Sequence, residues 1–257
     1  MEIGLFRDTA THIELRQPLV RLSGRTHRVS PVFATYWQFA AERQAAFFRR
    51  LAGITPITSD PILQQFKFTN AFRVLDRTSQ YLLTAVIQRG DQSIEELFFR
   101  IILFKLFNKI ETWELLLKDQ VEIRLATYDY NSYDRALTNA LLKGQRIYSA
   151  AYIMPSGGAN GERRKHRSHL QLLELMLKDK VPAKLSKART MRDGYALLRS
   201  FPMIGDFLAY QFITDINYSS ITDFSEMEFV VAGPGALDGL KKCFPDMSPM
   251  RRSPLYA

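Results

Sequence analysis

Apolar residues recur at three- and four-residue spacing along most of this chain, and two-residue alternation is nearly absent, so the pattern predicts an all-α protein. The first 30 residues differ: scattered Arg and His with little periodicity predict an irregular segment. Ser30 and Pro31 then form an N-cap and N1 pair, and "VFATYWQFAAERQAAFFRRLAG" reads as one helix closed by Gly53. After the loop "TPITSDP", Asp60 and Pro61 open a long helix, "ILQQFKFTNAFRVLDRTSQYLLTAVIQ", ending at Arg89-Gly90. "SIEELFFRIILFKLFN" follows, with Ser93 as N-cap and Glu96 at the N3 place of a capping box. Further helices are expected over "KIETWELLLKD", "YDYNSYDRALTNALLKG", "SHLQLLELMLKD" and "TMRDGYALLRS". "PSGGANGERRKHR" is the clearest loop. Residues 245–257 read as a flexible tail, which leaves one helical domain over 31–244.

Near the end of that domain, "LRSFPMIGDFLAYQ" (Leu198 to Gln211) sets a Pro and a Gly three residues apart inside a helical pattern. Two short helices joined by so tight a turn form a helix–hairpin–helix over about residues 196–214. Leu198 and Phe201 are expected to face Leu208, with Gly205 supplying backbone freedom. The open N–H groups of the second helix make a site for one DNA backbone phosphate. A plain corner between core helices has the same local pattern. The arrangement resembles helix–hairpin–helix DNA glycosylases, in which an Asp follows the hairpin by roughly twenty residues. Here Asp223 follows Gly205 by 18 positions, with Glu226 beyond it and Asp215 before. The loop Gly233-Pro234-Gly235 comes after these acids rather than before them, which departs from that pattern. Asp223 and Glu226 are the candidate catalytic acids, and an N-cap role for Asp223 stays open.

Charge interleaves with aromatics further upstream. On the expected second helix Lys67, Asn70, Arg73 and Arg77 recur at three- and four-residue spacing and share a face. Lys105 and Lys109 repeat the pattern in "FKLFNK", and Arg43 lies in "ERQ". Cations among large apolar residues are paired or meet an anion. Glu42, Asp60 and Asp76 can pair with them, and phosphate or nucleotide contact is the alternative. Tyr81, Trp113 and Tyr210 can stack on an extruded base or pack in the core. Arg163, Arg164 and Lys165, in the Gly-rich loop, are candidates for DNA-backbone contact.

Composition narrows the classes. The 257 residues carry a formal charge of +9, which fits a polyanionic partner. The single cysteine, Cys243, excludes an internal disulfide and a four-Cys iron–sulfur site, and it fits a reducing, intracellular compartment. No apolar run is long enough for a membrane span, and the N-terminus does not read as a signal peptide. G-x-x-x-x-G-K-[ST] and G-x-S-x-G are absent. His166 and His169, three apart, have no further ligand at metal spacing, so neither a metal nor another cofactor is expected.

The strings "ERQ", "SDPIL", "KFTNAFRVLDRTSQYL", "LFKLFNKIETWE", "GQRIYSAAYI", "MIGDFLAYQ" and "DFSEMEFVVAGPGALDGLKKCF" run from about residue 35 to 244. Together they resemble the α-glutamyl/putrescinyl-thymine pyrophosphorylase family, also called the helical domain of 5-hydroxymethyl-deoxyuridine DNA kinases. The resemblance implies a helix–hairpin–helix DNA-glycosylase-like bundle that flips a modified pyrimidine out of DNA. It implies displacement of pyrophosphate from the C5 methylene of a hypermodified thymine by an amine, such as an amino acid or putrescine. Excision of the modified base by a glycosylase, and a non-catalytic DNA-binding module, are the other readings.

Overall fold

The computed structural model describes residues 19–22, 24–118, 120–151, 154–156 and 164–246. In chain order its strands are β1 (Leu19–Leu22) and β2 (Arg25–Arg28). The first helices are α1 (Pro31–Leu51), α2 (Pro61–Gln65), α3 (Arg77–Tyr81), α4 (Ile94–Phe107), α5 (Ile110–Leu117) and α6 (Tyr130–Leu142). They are followed by α7 (Lys165–Lys178), α8 (Val181–Leu185), α9 (Met191–Arg199), α10 (Asp206–Ile216) and α11 (Pro234–Cys243). Single turns of 3₁₀ helix lie at Arg73–Leu75 and Leu125–Thr127, and a π-helix at Leu82–Ile87. The all-α expectation holds, with one two-stranded sheet added.

The chain divides into two compact units, Met1–Phe68 with Gly233–Ala257, and Thr69–Ala232. The first joins two distant stretches of chain. Its hairpin, in residues with little periodicity, turns on Gly24 at φ 77° and pairs Leu19 with Arg28 and Leu22 with Arg25. Val29, Cys243 and Phe244 are buried together, with Val20 and Phe33 against them. Ser30 stands at the N-cap of α1, but its hydroxyl donates to the Lys242 carbonyl and its N–H to the Cys243 carbonyl, tying α1 to α11. Asp60 caps α2 as expected, accepting from the N–H groups of Ile62 and Leu63.

The second unit is built around α4. Its residues Glu96 to Phe107 are all buried, as a helix apolar on every side must be. The π-helix, α5, α7, α8 and α10 all pack on it. Two charged residues at the start of α4 are spent on backbone groups that other elements leave open. Glu96 does not close a capping box with Ser93; it accepts from the N–H groups of Leu125 and Ala126, at 2.8 and 3.2 Å, holding the start of a 3₁₀ turn. Arg100 donates to the carbonyls of Val86 and Asp91, at the end of the π-helix.

The expected long helix over residues 62–88 does not form. α2 is five residues long and ends at an extended Phe66. The cause is local: the Asn70 N–H donates to Asp76 Oδ1 at 2.8 Å, and Asn70 Nδ2 donates to the Leu75 carbonyl at 2.6 Å. Asn and Asp side chains thereby compete with the helix for backbone groups, and here they close a compact loop. Lys67, Asn70, Arg73 and Arg77 therefore do not share a helix face.

Over the residues read as a hairpin, α9 and α10 are joined by a short turn and pack side by side. Leu198, Phe201 and Leu208 are buried in the same core. Gly205 needs no special conformation, at φ −83° and ψ 176°, and a Cβ there would meet nothing within 4 Å. The left-handed residue of the turn is Met203, at φ 64°. The close approach falls instead at Gly194 of α9, where a Cβ would come within 2.6 Å of Ile213 on α10.

Candidate functional site

Three segments of the second unit converge on one carboxylate. The loop closed by Asn70 and Asp76 carries Arg73 on a 3₁₀ turn. The end of α4 carries Lys105 and Asn108. One face of α10 carries Gln211 and Asp215, one turn apart. Arg73 donates to the Gln211 side-chain oxygen, to the Gln211 carbonyl at 3.3 Å, and to Asp215 Oδ1 at 2.6 Å. Lys105 Nζ lies 2.8 Å from Asp215 Oδ2 and donates to Asn108 Oδ1 at 2.7 Å. Asn108 is left-handed, at φ 47°, and ends α4 with its N–H on the Phe104 carbonyl.

Burial makes this network costly. Asp215 is 0% exposed and Lys105 3%, while the Arg73 side chain keeps 23% of its surface. Burial pushes the Lys105 ammonium below its ordinary value; Asp215 opposes this and Arg73 adds to it. Such groups survive in a core only when paired and hydrogen-bonded, as these are. Arg73 is the member through which solvent reaches the network.

Next to it lies the loop that follows α10. Asn217 clamps the loop, its side chain donating to the Phe224 carbonyl and accepting from Thr222 Oγ1 and the Phe224 N–H. Phe229 packs against Tyr195 and Tyr210, with the Arg192 guanidinium 5.2 Å from its ring centre. Asp223 sits between two clamped residues and is exposed, and Glu226 is exposed as well. Burial raises the Tyr210 hydroxyl, the Glu226 charge adds to that, and Arg73 opposes it.

The other sequence-derived residues are spread out. Asn70 supports the Arg73 loop. Lys109 pairs with Glu111 at 2.7 Å, and the Arg77 charge lowers the same carboxylate, after the Lys109 hydrogen bond as the main cause. Arg43 and Lys67 belong to the first unit, Arg43 over the Phe39 ring at 5.8 Å and Lys67 exposed. The first turn of α10, which begins after Gly205, already carries a carboxylate: Asp206 accepts from Arg199 at 2.7 Å and from Tyr195. Arg164 precedes α7, the Lys165 ammonium sits 4.5 Å from the Tyr148 ring centre, and Arg163 lies outside the described residues. Tyr81 stacks on Phe104 and Trp113 is buried. Sequence reasoning missed Gln211 and Asn108 and gave Asp215 no role. The available signal was their polar type inside otherwise apolar helices.

A second buried polar group lies between α6 and α7. His166 Nε2 and Arg167 donate to Asp134 Oδ1 at 2.7 and 2.8 Å. His169 Nε2 donates to the Pro155 carbonyl at 3.0 Å, which leaves Nδ1 to accept from the Tyr148 hydroxyl at 2.8 Å. Both histidines are thus spent on structure. Among the described residues no group of three or more His, Cys, Asp or Glu is placed to hold a metal ion, and no helix is long and apolar enough to cross a membrane.

Comparison with known proteins adds a family to this geometry. The family model described as "5-hmdU DNA kinase, helical domain" matches residues 30–254. A protein named 5-hmdU DNA kinase, from Bacillus phage SP10, is 22% identical over 250 residues, covering 90% of this chain and 39% of the phage protein. The chain therefore spans about two-fifths of that relative's length. No solved structure matches.

Proposed function

We propose, for a chain that belongs to the family of 5-hmdU DNA kinase helical domains, that it acts on thymine-derived bases in DNA that carry an oxygen substituent on the C5 methylene. The finer reading is a substitution at that carbon. An amine forms a C–N bond to the methylene, the C–O bond to pyrophosphate breaks, and the amine's proton passes to a carboxylate. The target base must leave the helix stack first.

One observation carries this reading: the buried network of Arg73, Lys105, Gln211 and Asp215, whose first three members come from three of the family-like strings. A cluster of ionised groups in a helical core, with one arginine at its surface, is an electrostatic device of the kind reacting phosphates require. In this role Arg73 and Lys105 neutralise the departing pyrophosphate, with Asn70, Arg77 and Lys109 of the same unit as the wider phosphate-binding set. Asp223 and Glu226, exposed on the clamped loop, are the proton acceptors. Gly205, Arg163, Arg164 and Lys165 contact the DNA backbone.

A second reading has an observation of its own. The α9–α10 pair is followed by a loop in which Asn217 holds the Thr222 hydroxyl and the Phe224 backbone on either side of Asp223, and a carboxylate carried there also suits excision of a modified base. The test is mass spectrometry of nucleosides and free bases. DNA containing 5-hydroxymethyluracil, or its phosphorylated and pyrophosphorylated forms, is incubated with the protein, amino acids and polyamines. An amine-substituted thymidine on an intact strand is the expected product. A released free base moves the assignment to a glycosylase, and neither product refutes both.

A further inference from the structure

The first unit carries a surface that this function leaves unused. Seven large aromatic side chains are exposed among the described residues, and five of them, Tyr36, Trp37, Phe48, Phe66 and Phe68, belong to this unit. Tyr36 is 54% exposed and Trp37 57%, and they are neighbours rather than scattered rings. In α1 only Ala46 is buried.

The rings alternate with cations. Tyr36, Phe39, Arg43, Phe47 and Arg50 follow one another at spacings of three and four, so they form a single stripe along α1, exposed at Tyr36 and Arg50 and half-buried at Phe39, Arg43 and Phe47. The stripe is roughly 20 Å long at 1.5 Å per residue. Phe68 extends it sideways, 5.0 Å from Phe39 between ring centres, and Arg43 lies over that same Phe39 ring. The unit is basic as a whole: residues 1–68 with 233–257 hold thirteen Lys or Arg against seven Asp or Glu. Between residues 31 and 68 there are four Lys or Arg and two Asp or Glu. Glu42 accepts from Arg49 and Thr58, each at 2.7 Å, and Asp60 caps α2.

We propose that this stripe is a stacking platform for unpaired nucleic-acid bases, with its arginines on the adjoining phosphates. The inference rests on the reading that DNA is the substrate, and it names single-stranded DNA as the form that the first unit takes. Rings interleaved with arginines suit stacked bases and their phosphates together, since every base offers a π-face whatever its sequence. A membrane-surface helix also combines cations and apolar side chains. Here, however, α1 has six aromatic residues against two aliphatic ones larger than Ala, Val32 and Leu51, and a lipid surface requires no such excess of rings.

The full chain supplies its own reporter: of its two tryptophans Trp113 is buried, and Trp37 lies 5.3 Å from Tyr36 between ring centres. The titrants are a short oligothymidylate, an abasic oligomer of equal length and charge, a duplex of that length, and phosphatidylserine vesicles. Oligothymidylate is expected to quench Trp37 and to bind about tenfold or more tighter than the abasic oligomer and the duplex. Tyr36→Leu with Phe47→Leu keeps apolar bulk but removes two rings, and it should erase the preference at an unchanged circular dichroism spectrum. Should that pair unfold the protein, Tyr36→Leu alone is expected to weaken the preference and Tyr36→Phe to keep it. Equal affinity for oligothymidylate and the abasic oligomer overturns the platform, as does binding to vesicles with none to oligothymidylate. Modified nucleosides formed by a protein with no such preference refute the platform alone. A preference without product refutes the proposed reaction alone.

Discussion

Asp215 holds two cations, one on each oxygen, and water does not reach it. Removing it strands Lys105 in the core beside Arg73. Asp215→Leu is expected to destabilise the second unit by about 3–5 kcal/mol, the usual cost of leaving a buried charge without its partner. Lys105→Met added to Asp215→Leu is expected to recover most of that loss, because a matched apolar replacement removes the stranded charge. Urea midpoints of the two variants decide it; a double variant no better than the single one would show that the pair is not the energetic unit. The same geometry explains why Arg73 was legible only as a cation in the sequence. Its type suggested phosphate, while its fork is already engaged by Gln211 and Asp215. An anion that recruits Arg73 has to draw it from α10.

At the scale of elements, α7 carries a pH dependence. Burial pushes His169 down from 6.5 to about 4, and it also lowers His166, against the opposing Asp134. In the unfolded chain these rings bind protons below about pH 6.5, whereas the folded protein holds them neutral. The unfolded state therefore binds more protons between those limits, and stability falls as pH drops from about 6.5 towards 4. His169 alone accounts for a loss on the order of 3 kcal/mol across that window. Urea midpoints measured from pH 7 to 4.5 should fall, and His169→Gln should flatten the fall; an unchanged slope would contradict the assignment. The π-helix and the loop at 70–76 belong to this scale as well. Both interrupt what periodicity reads as one continuous helix, and the side chains that stabilise the interruption, Arg100, Asn70 and Asp76, are polar residues whose partners are not fixed by spacing.

For the molecule as a whole, the formal charge of +9 sets the expected response to salt. If DNA is the ligand, each phosphate contact releases counterions, so log affinity should fall linearly with log salt concentration. Several contacts predict a loss of about tenfold or more between 50 and 200 mM salt. Fluorescence titration over that range checks this, and an affinity independent of salt would remove the phosphate contacts from the proposal. Stacking on α1 gives way less to salt than the phosphate contacts do, so the preference for unpaired bases should outlast the decline in total affinity.

Periodicity and caps determined the helical class, the start of α1 at Ser30-Pro31, the Asp60 cap of α2, and the helical character of α9 and α10. These depend on local backbone chemistry and on which face is apolar, which neighbouring residues encode. Tertiary structure decided the rest. It sent Glu96 to a distant 3₁₀ turn instead of Ser93 and joined Arg73, Lys105 and Asp215 across more than a hundred residues. Those outcomes follow from pairing energies between polar groups far apart in sequence. A single chain states which groups need partners, but only packing settles which partners they find.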